Sequence, residues 1–177
     1  MQKLVSWLAD EAKGGRQIAG YILLAALVNV ALSYTVRATL INWGIVEAPP
    51  YDPNPQNPFG YYNVLLFVSI LVQAPLFEET IFRLVPLTIT VFFTKKPIVV
   101  LTAVVLFAAL FGAIHPYGAV GRARVAIAGL VFGVMFLKCG GLNGRSIKGW
   151  LSSVVAHSAA NLFLLGAEYY DYLERVL

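Results

Sequence analysis

Polar residues divide this chain into long apolar runs. Ile18 to Val36 carries no charge over 19 residues, enough for a helix to cross about 30 Å of hydrocarbon. Arg37 to Pro58 follows, with Glu47, Asp52 and the stretch Ala48-Pro49-Pro50-Tyr51-Asp52-Pro53-Asn54-Pro55. Its prolines cannot continue a helix and its acids prefer water, so an exposed loop is expected. Phe59 to Phe93 is apolar except at Glu78, Glu79 and Arg83. It is too long for one upright crossing and reads as a span kinked at Pro75. Lys95-Lys96-Pro97 ends it, and Ile98 to Ile114 runs uncharged to His115-Pro116. A short helix is expected from Val125 to Leu137, where Gly129 and Gly133 would let a neighbouring helix come close. Lys138 to Gly149 reads as a Gly-rich basic loop, Trp150 to Gly166 as the last span, and Glu168 to Leu177 as an aqueous amphipathic tail. Tyr169, Tyr170 and Tyr172 fall where an aromatic belt would sit.

These runs are too long for strands, and only helices or closed barrels satisfy the backbone in lipid. The expected fold is therefore all-α, a polytopic transmembrane helical bundle of about five to six membrane helices, the number depending on whether 59–93 crosses once or twice. One domain is expected over 1–177, with 17–36 as the first span and 37–58 as the exposed loop.

Composition agrees. Hydrophobic residues make up 59% of the 177 and charged residues 12%, against roughly 25% charged in an average soluble domain. The net charge of +4 comes from 13 Lys and Arg scattered in ones and twos between apolar runs. Membrane flanks fit that scatter and a nucleic-acid patch does not. With five crossings, Lys3, Lys13, Arg16, Lys95, Lys96, Lys138, Arg145 and Lys148 fall on the N-terminal side, and Arg37, Arg122, Arg124 and Arg175 on the other. That asymmetry predicts a cytoplasmic N-terminus. Asp10 and Glu11 in the leader, and an uncharged run reaching Val36, favour a retained anchor over a cleaved signal. Cys139, the single cysteine, allows neither an intrachain disulfide nor a Cys-based zinc cluster and reads as an apolar filler. Trp7, Trp43 and Trp150 suit membrane interfaces, and Asn29, Asn63 and Gln73 suit interhelical hydrogen bonds.

The candidate chemistry follows from elimination. Of nine acids, only Glu78 and Glu79 lie in apolar sequence, where an ionisable group is costly and usually kept for a function or a partner. Adjacent helical residues diverge by about 100°, so the two cannot face the same way. Glu79 and Arg83 stand at i,i+4 in the favourable acid-first order, which leaves Glu78 free to face a cavity as a general base. Both histidines lie in apolar runs. Phe111 is one turn before His115, and Asn161 is one turn after His157 on the same helical face. A glutamate, two histidines and an amide supply a base for water and donors for an oxyanion, the needs of amide hydrolysis.

Three motifs stand in order: Glu78-Glu79-Thr80-Ile81-Phe82-Arg83, Phe111-Gly112-Ala113-Ile114-His115 and His157-Ser158-Ala159-Ala160-Asn161. They resemble the E-E-x-x-x-R, F-x-x-x-H and H-x-x-x-N pattern of the CAAX protease and bacteriocin-processing (CPBP, Abi) intramembrane endopeptidases, which include the Rce1-like prenyl proteases. Leu84 departs from the glycine that many members carry after the arginine, and many members have more membrane helices. The resemblance implies that 59–166 holds the catalytic helices. It implies that Glu78 and His115 activate water, that His157 and Asn161 form an oxyanion hole, and that Glu79 and Arg83 complete the first motif; the i,i+4 spacing gives that pair a supporting role, and Phe111 is expected to support the site with them. The implied partners are membrane lipids and a peptide or protein substrate, a prenylated one being one family activity; no nucleic acid is implied.

No cofactor is expected, because asparagine is a poor zinc ligand and a good oxyanion donor. Zinc held by Glu78, His115 and His157 is the alternative. Two other readings compete with an enzyme. One is a bacteriocin-immunity or scaffold protein that keeps the motifs for packing. The other is a proton or ion transporter using Glu78, His115 and His157 as a relay.

Overall fold

On the first long helix small and polar residues turn inward while leucines turn outward, the pattern of a chain whose solvent is lipid. The computed structural model describes residues 2–44 and 64–176, and all of their regular elements are helical. After the short helix α1 (Gln2–Ala9), α2 (Gly15–Asn42) buries Ala25, Ala26, Asn29 and Ser33 along one stripe. Leu23, Leu24, Leu27 and Leu32 are exposed on its other face. It runs past Val36, so Arg37 to Asn42 are helical where a loop was expected. From 45 on the Pro-rich segment lies outside the described residues, as do Asn63 and the side chains of the tail from Asp171 onward.

The helix α3 covers 64–93 without a break and carries two π turns, Ser69–Gln73 and Thr80–Leu84. Each ends just ahead of a proline: Pro75 after the first and Pro86 after the second. A proline removes its own N–H and collides with the carbonyl one turn back, and a widened turn relieves both. The single kink expected at Pro75 is thus a pair of bulges, with Glu78 and Glu79 on the ordinary turns between them.

Thr94 leaves the helix in an extended conformation, and α4 (Pro97–Ile114) starts with proline at its first position. It buries Val100, Val104, Ala108, Phe111 and Gly112 at three- and four-residue spacing. The helix α5 (Ala119–Lys138) is longer than the expected 125–137 and takes in Arg122 and Arg124. Gly129 meets Ala108, and a Cβ added there would stand 3.0 Å from the Ala108 Cα and 3.0 Å from the Arg83 guanidinium. The tight glycine spacing therefore makes room for an arginine as well as for a helix. The last helix, α6 (Ser146–Val176), continues through the expected tail. α5 sits centrally, packed against α1, α2, α4 and α6.

Five helices are long and apolar enough to cross a membrane: Gly15–Asn42, Leu65–Phe93, Pro97–Ile114, Ala119–Lys138 and Ser146–Tyr170. Two apolar clusters hold them together. Ala25, Ala26, Phe132, Met135, Cys139, Ala156 and Ala160 join α2, α5 and α6. Leu87, Val91, Val100, Val104, Phe136 and Leu137 join α3, α4 and α5, with Leu8 of α1 against them.

The segment expected as an open basic loop is partly interior. Lys138 is buried, donates to the Trp7 carbonyl at 2.5 Å and to the Asp10 carbonyl, and lies 4.6 Å from the Trp7 ring centroid. Glu11, also buried, accepts from Lys148 at 2.6 Å, Arg145 at 3.1 Å and Asn143 at 3.3 Å. Gly140 turns the chain there at φ 127, a conformation open to glycine. The basic partners of Glu11 lie more than 130 residues away, so a leader acid carries no local sign of them.

Candidate active site

Glu78, His115 and His157 come from α3, the end of α4 and α6. Glu78 Oε1 lies 3.9 Å from His115 Nε2, and Glu78 Oε2 lies 3.7 Å from His157 Nε2. Neighbouring Glu79 turns away from them into the protein. Its side chain is 0% exposed against 27% for Glu78, so only Glu78 can meet a molecule entering from outside. Glu79 Oε1 sits 3.1 Å from Arg83 Nη1 and 3.0 Å from His157 Nδ1. The divergence of adjacent helical residues thus assigns one carboxylate to the cavity and the other to a buried ion pair.

Hydrogen bonds define which ring nitrogens carry protons. The Phe111 carbonyl, 2.7 Å from His115 Nδ1, can only accept, so Nδ1 donates and the Nε2 of a neutral ring presents a lone pair toward Glu78. His157 Nδ1 faces the Glu79 carboxylate in the same way, and its Nε2 carries a hydrogen only when the ring is an imidazolium. Glu79 supplies the counter-charge for that form.

Aromatic rings fix both imidazoles. Phe111 meets His115 edge-on at 4.7 Å, and Phe132 stacks on His157 at 4.6 Å and 18°. The Arg83 guanidinium lies 4.4 Å from the Phe111 centroid, so the second motif's phenylalanine also covers the first motif's arginine. Tyr117 stacks on the outer side of His115 at 5.7 Å.

Asn161 completes the group through the bulge in α3. Ala74 N–H bonds Ser69 O across the π turn, and the next residue, Pro75, has no N–H to offer Ile70 O. Asn161 Nδ2 donates to that carbonyl at 3.0 Å. Its second amide hydrogen is left for another acceptor.

A cavity of about 500 Å³ joins these groups, with Glu78, Phe111, His115, Phe132, His157 and Asn161 in its wall. Asn29 and Ser33 of α2, Tyr117, Arg124 and Glu168 also line it. It occupies the half of the bundle where α2, α4 and α6 end and α3 and α5 begin, opposite the Lys138–Glu11 clasp. All seven residues expected at the site meet here: Glu78, His115, His157 and Asn161 on the cavity, Glu79 and Arg83 behind it, and Phe111 between. Sequence reading missed Phe132, Tyr117, Asn29 and the Ile70 carbonyl. An aromatic or a main-chain oxygen in an apolar helix gives no local signal, and Asn29 was read as an interhelical hydrogen-bond partner. Gln73, read in the same way, is exposed.

Among the described residues no three His, Cys, Asp or Glu side chains are arranged to hold a metal ion.

A family model described as type II CAAX prenyl endopeptidase Rce1-like matches residues 60–163, which include all three motifs. No curated protein and no solved structure matches the chain. With more than half of its length inside that family model, this multi-pass integral membrane protein belongs to the Rce1-like family.

Proposed function

We propose that this chain is an intramembrane endopeptidase that hydrolyses a peptide bond in a membrane-associated or membrane-proximal segment. The observation that carries the reading is the approach of His115 and His157 Nε2 to the two oxygens of Glu78, at 3.9 and 3.7 Å, on the wall of one cavity. A single water bound from the side can bridge Glu78 and His115 at that separation. Glu78 takes its proton with His115 as the neighbouring acceptor, and the hydroxide adds to the scissile carbonyl carbon. The oxyanion that forms accepts hydrogen bonds from His157 Nε2–H, as imidazolium over Glu79, and from the free amide hydrogen of Asn161. Glu78 then gives its proton to the amide nitrogen as the C–N bond breaks, releasing an amine and a carboxylic acid that loses its remaining proton to water. Family membership supports peptide-bond chemistry, and the buried Glu79–Arg83 pair supports a fixed charge behind His157.

The Lys-rich end of the bundle holds the start of the chain, so a cytoplasmic N-terminus puts the cavity in the half of the bundle away from the cytoplasm. The water-activating role needs no metal, because Glu78 and His115 supply both acceptors.

The test is Glu78→Gln in purified, lipid-reconstituted protein. Cleavage is expected to fall by at least about 10²-fold, with folding and abundance retained, since general-base contributions are typically of this size. Full activity in Glu78→Gln would remove the mechanism, and joint loss of fold and phenotype would favour a scaffold. Stoichiometric zinc whose removal abolishes cleavage would replace the metal-free route by one through Glu78, His115 and His157.

A further inference from the structure

Arg124 lines the same cavity as Glu78 and His115. Its Nε is sealed from solvent with no acceptor, and no hydrogen bond or ion pair among the described residues uses its guanidinium. Arg122, two residues away, is exposed and donates its Nε to the His115 carbonyl at 3.3 Å. A guanidinium N–H taken from water without an acceptor is unfavourable, so the site becomes more stable once an acceptor arrives. Glu168 stands on the same wall, is exposed, and does not pair with it.

Position gives the ligand. Phe132, which stacks on His157, marks the inner end of the cavity. Arg124 lies eight residues nearer the start of α5, about 12 Å along the helix, or about four residues of extended peptide. Guanidinium geometry matches a carboxylate, with two N–H groups donating to its two oxygens. The Glu78 carboxylate repels a second anion from the reacting end, so an acidic group is drawn to the Arg124 end.

We propose that Arg124 is a specificity-determining residue that binds a carboxylate of the substrate within about four residues of the scissile bond. This rests on the peptidase reading above. The carboxylate comes either from an acidic side chain or from the substrate's own carboxy-terminus, and the Arg124 wall recognises both by the same chemistry.

The experiment uses the full chain in lipid nanodiscs and randomised decapeptide pools of four kinds: with or without Asp and Glu, each ending in a free acid or an amide. Cleavage by wild type and retention on Glu78→Gln are both read by mass spectrometry. One acidic source is expected to be enriched about tenfold, with the acid within about four residues of the cut. Arg124→Gln should bring the enrichment to about one, and Arg124→Lys should leave part of it. Enrichment in the amidated acidic pool assigns the side chain, and enrichment in the non-acidic free-acid pool assigns the terminus. An enrichment that survives Arg124→Gln overturns the proposal, as does cleavage or retention with no acid preference. A role confined to pairing with Glu168 would lower the unfolding temperature alike in Arg124→Gln and Glu168→Gln and leave the pool ratios unmoved, which also overturns it. Arg124-dependent retention without any cleavage by wild type sinks the peptidase reading and leaves the subsite standing.

Discussion

Glu78 and Glu79 are neighbours in the chain and opposites in the fold. Spacing alone foretold the split, because i,i+4 geometry reserves Arg83 for Glu79. It could not foretell that Glu79 would also hold His157, 78 positions away. Arg83 is 2% exposed and Glu79 0%, so deleting the guanidinium leaves a carboxylate without its fixed counter-charge. Arg83→Leu is expected to cost about 3–5 kcal/mol of stability, read from denaturant unfolding in mild detergent. Adding Glu79→Gln should restore part of that loss, and strictly additive effects would show that the pair is uncoupled. The three polar motifs were legible because charge and imidazole are rare in apolar helices. Phe132 was not, since its role depends on the stacking partner that α6 brings.

Helices carry the next level of information. Apolar runs predicted the spans, but run length did not fix their ends, since Arg37 to Asn42 and the segment from 119 are helical despite their arginines. Helical hydrogen bonding persists where flanking charges reach the interface by their long side chains. Pro75 and Pro86 each mark a π turn, and the first frees the Ile70 carbonyl that orients Asn161. At the other end, α1 and the turn after it are clasped to 138–149. The Lys148 hydrogen bond, opposed by burial and helped by Asn143 and by the Lys148 and Arg145 charges, holds the Glu11 carboxyl below its usual range. A lowered folded value means stabilisation that is present above the ordinary carboxylate value of about 4.3 and lost as pH falls through the folded value. The unfolding temperature of wild type should therefore exceed that of Glu11→Gln near pH 6 to 7, and the gap should close on acidification below about pH 4. A gap independent of pH would show that Glu11 acts by packing rather than by charge.

At the scale of the whole molecule, five helices long enough to cross the membrane carry the clasp and the cavity in opposite halves of the bundle. Lys3, Lys13, Arg16, Lys95, Lys96, Lys138, Arg145 and Lys148 gather on the clasp side, and the positive-inside bias then predicts that the cavity lies in the outward half of the bundle. In a Cys139→Ser background, Lys95→Cys should react with a membrane-impermeant thiol reagent only after cells are opened, and Ala119→Cys should react in intact cells. The reverse pattern would invert the orientation and place the site toward the cytoplasm. Sequence alone was enough to read the solvent, the helical class and the candidate residues for the chemistry. Hydrophobic run length and the cost of charge in lipid are local properties, readable without a fold. Only the packed helices show that Glu78, His115, His157 and Asn161 share one cavity, that Phe132 and the Ile70 carbonyl position His157 and Asn161, and that Arg124 stands on the wall without a partner among the described residues. Those facts depend on how α3, α4, α5 and α6 are rotated and packed, and that packing is set by close contacts such as Gly129 on Ala108 between residues far apart in the chain.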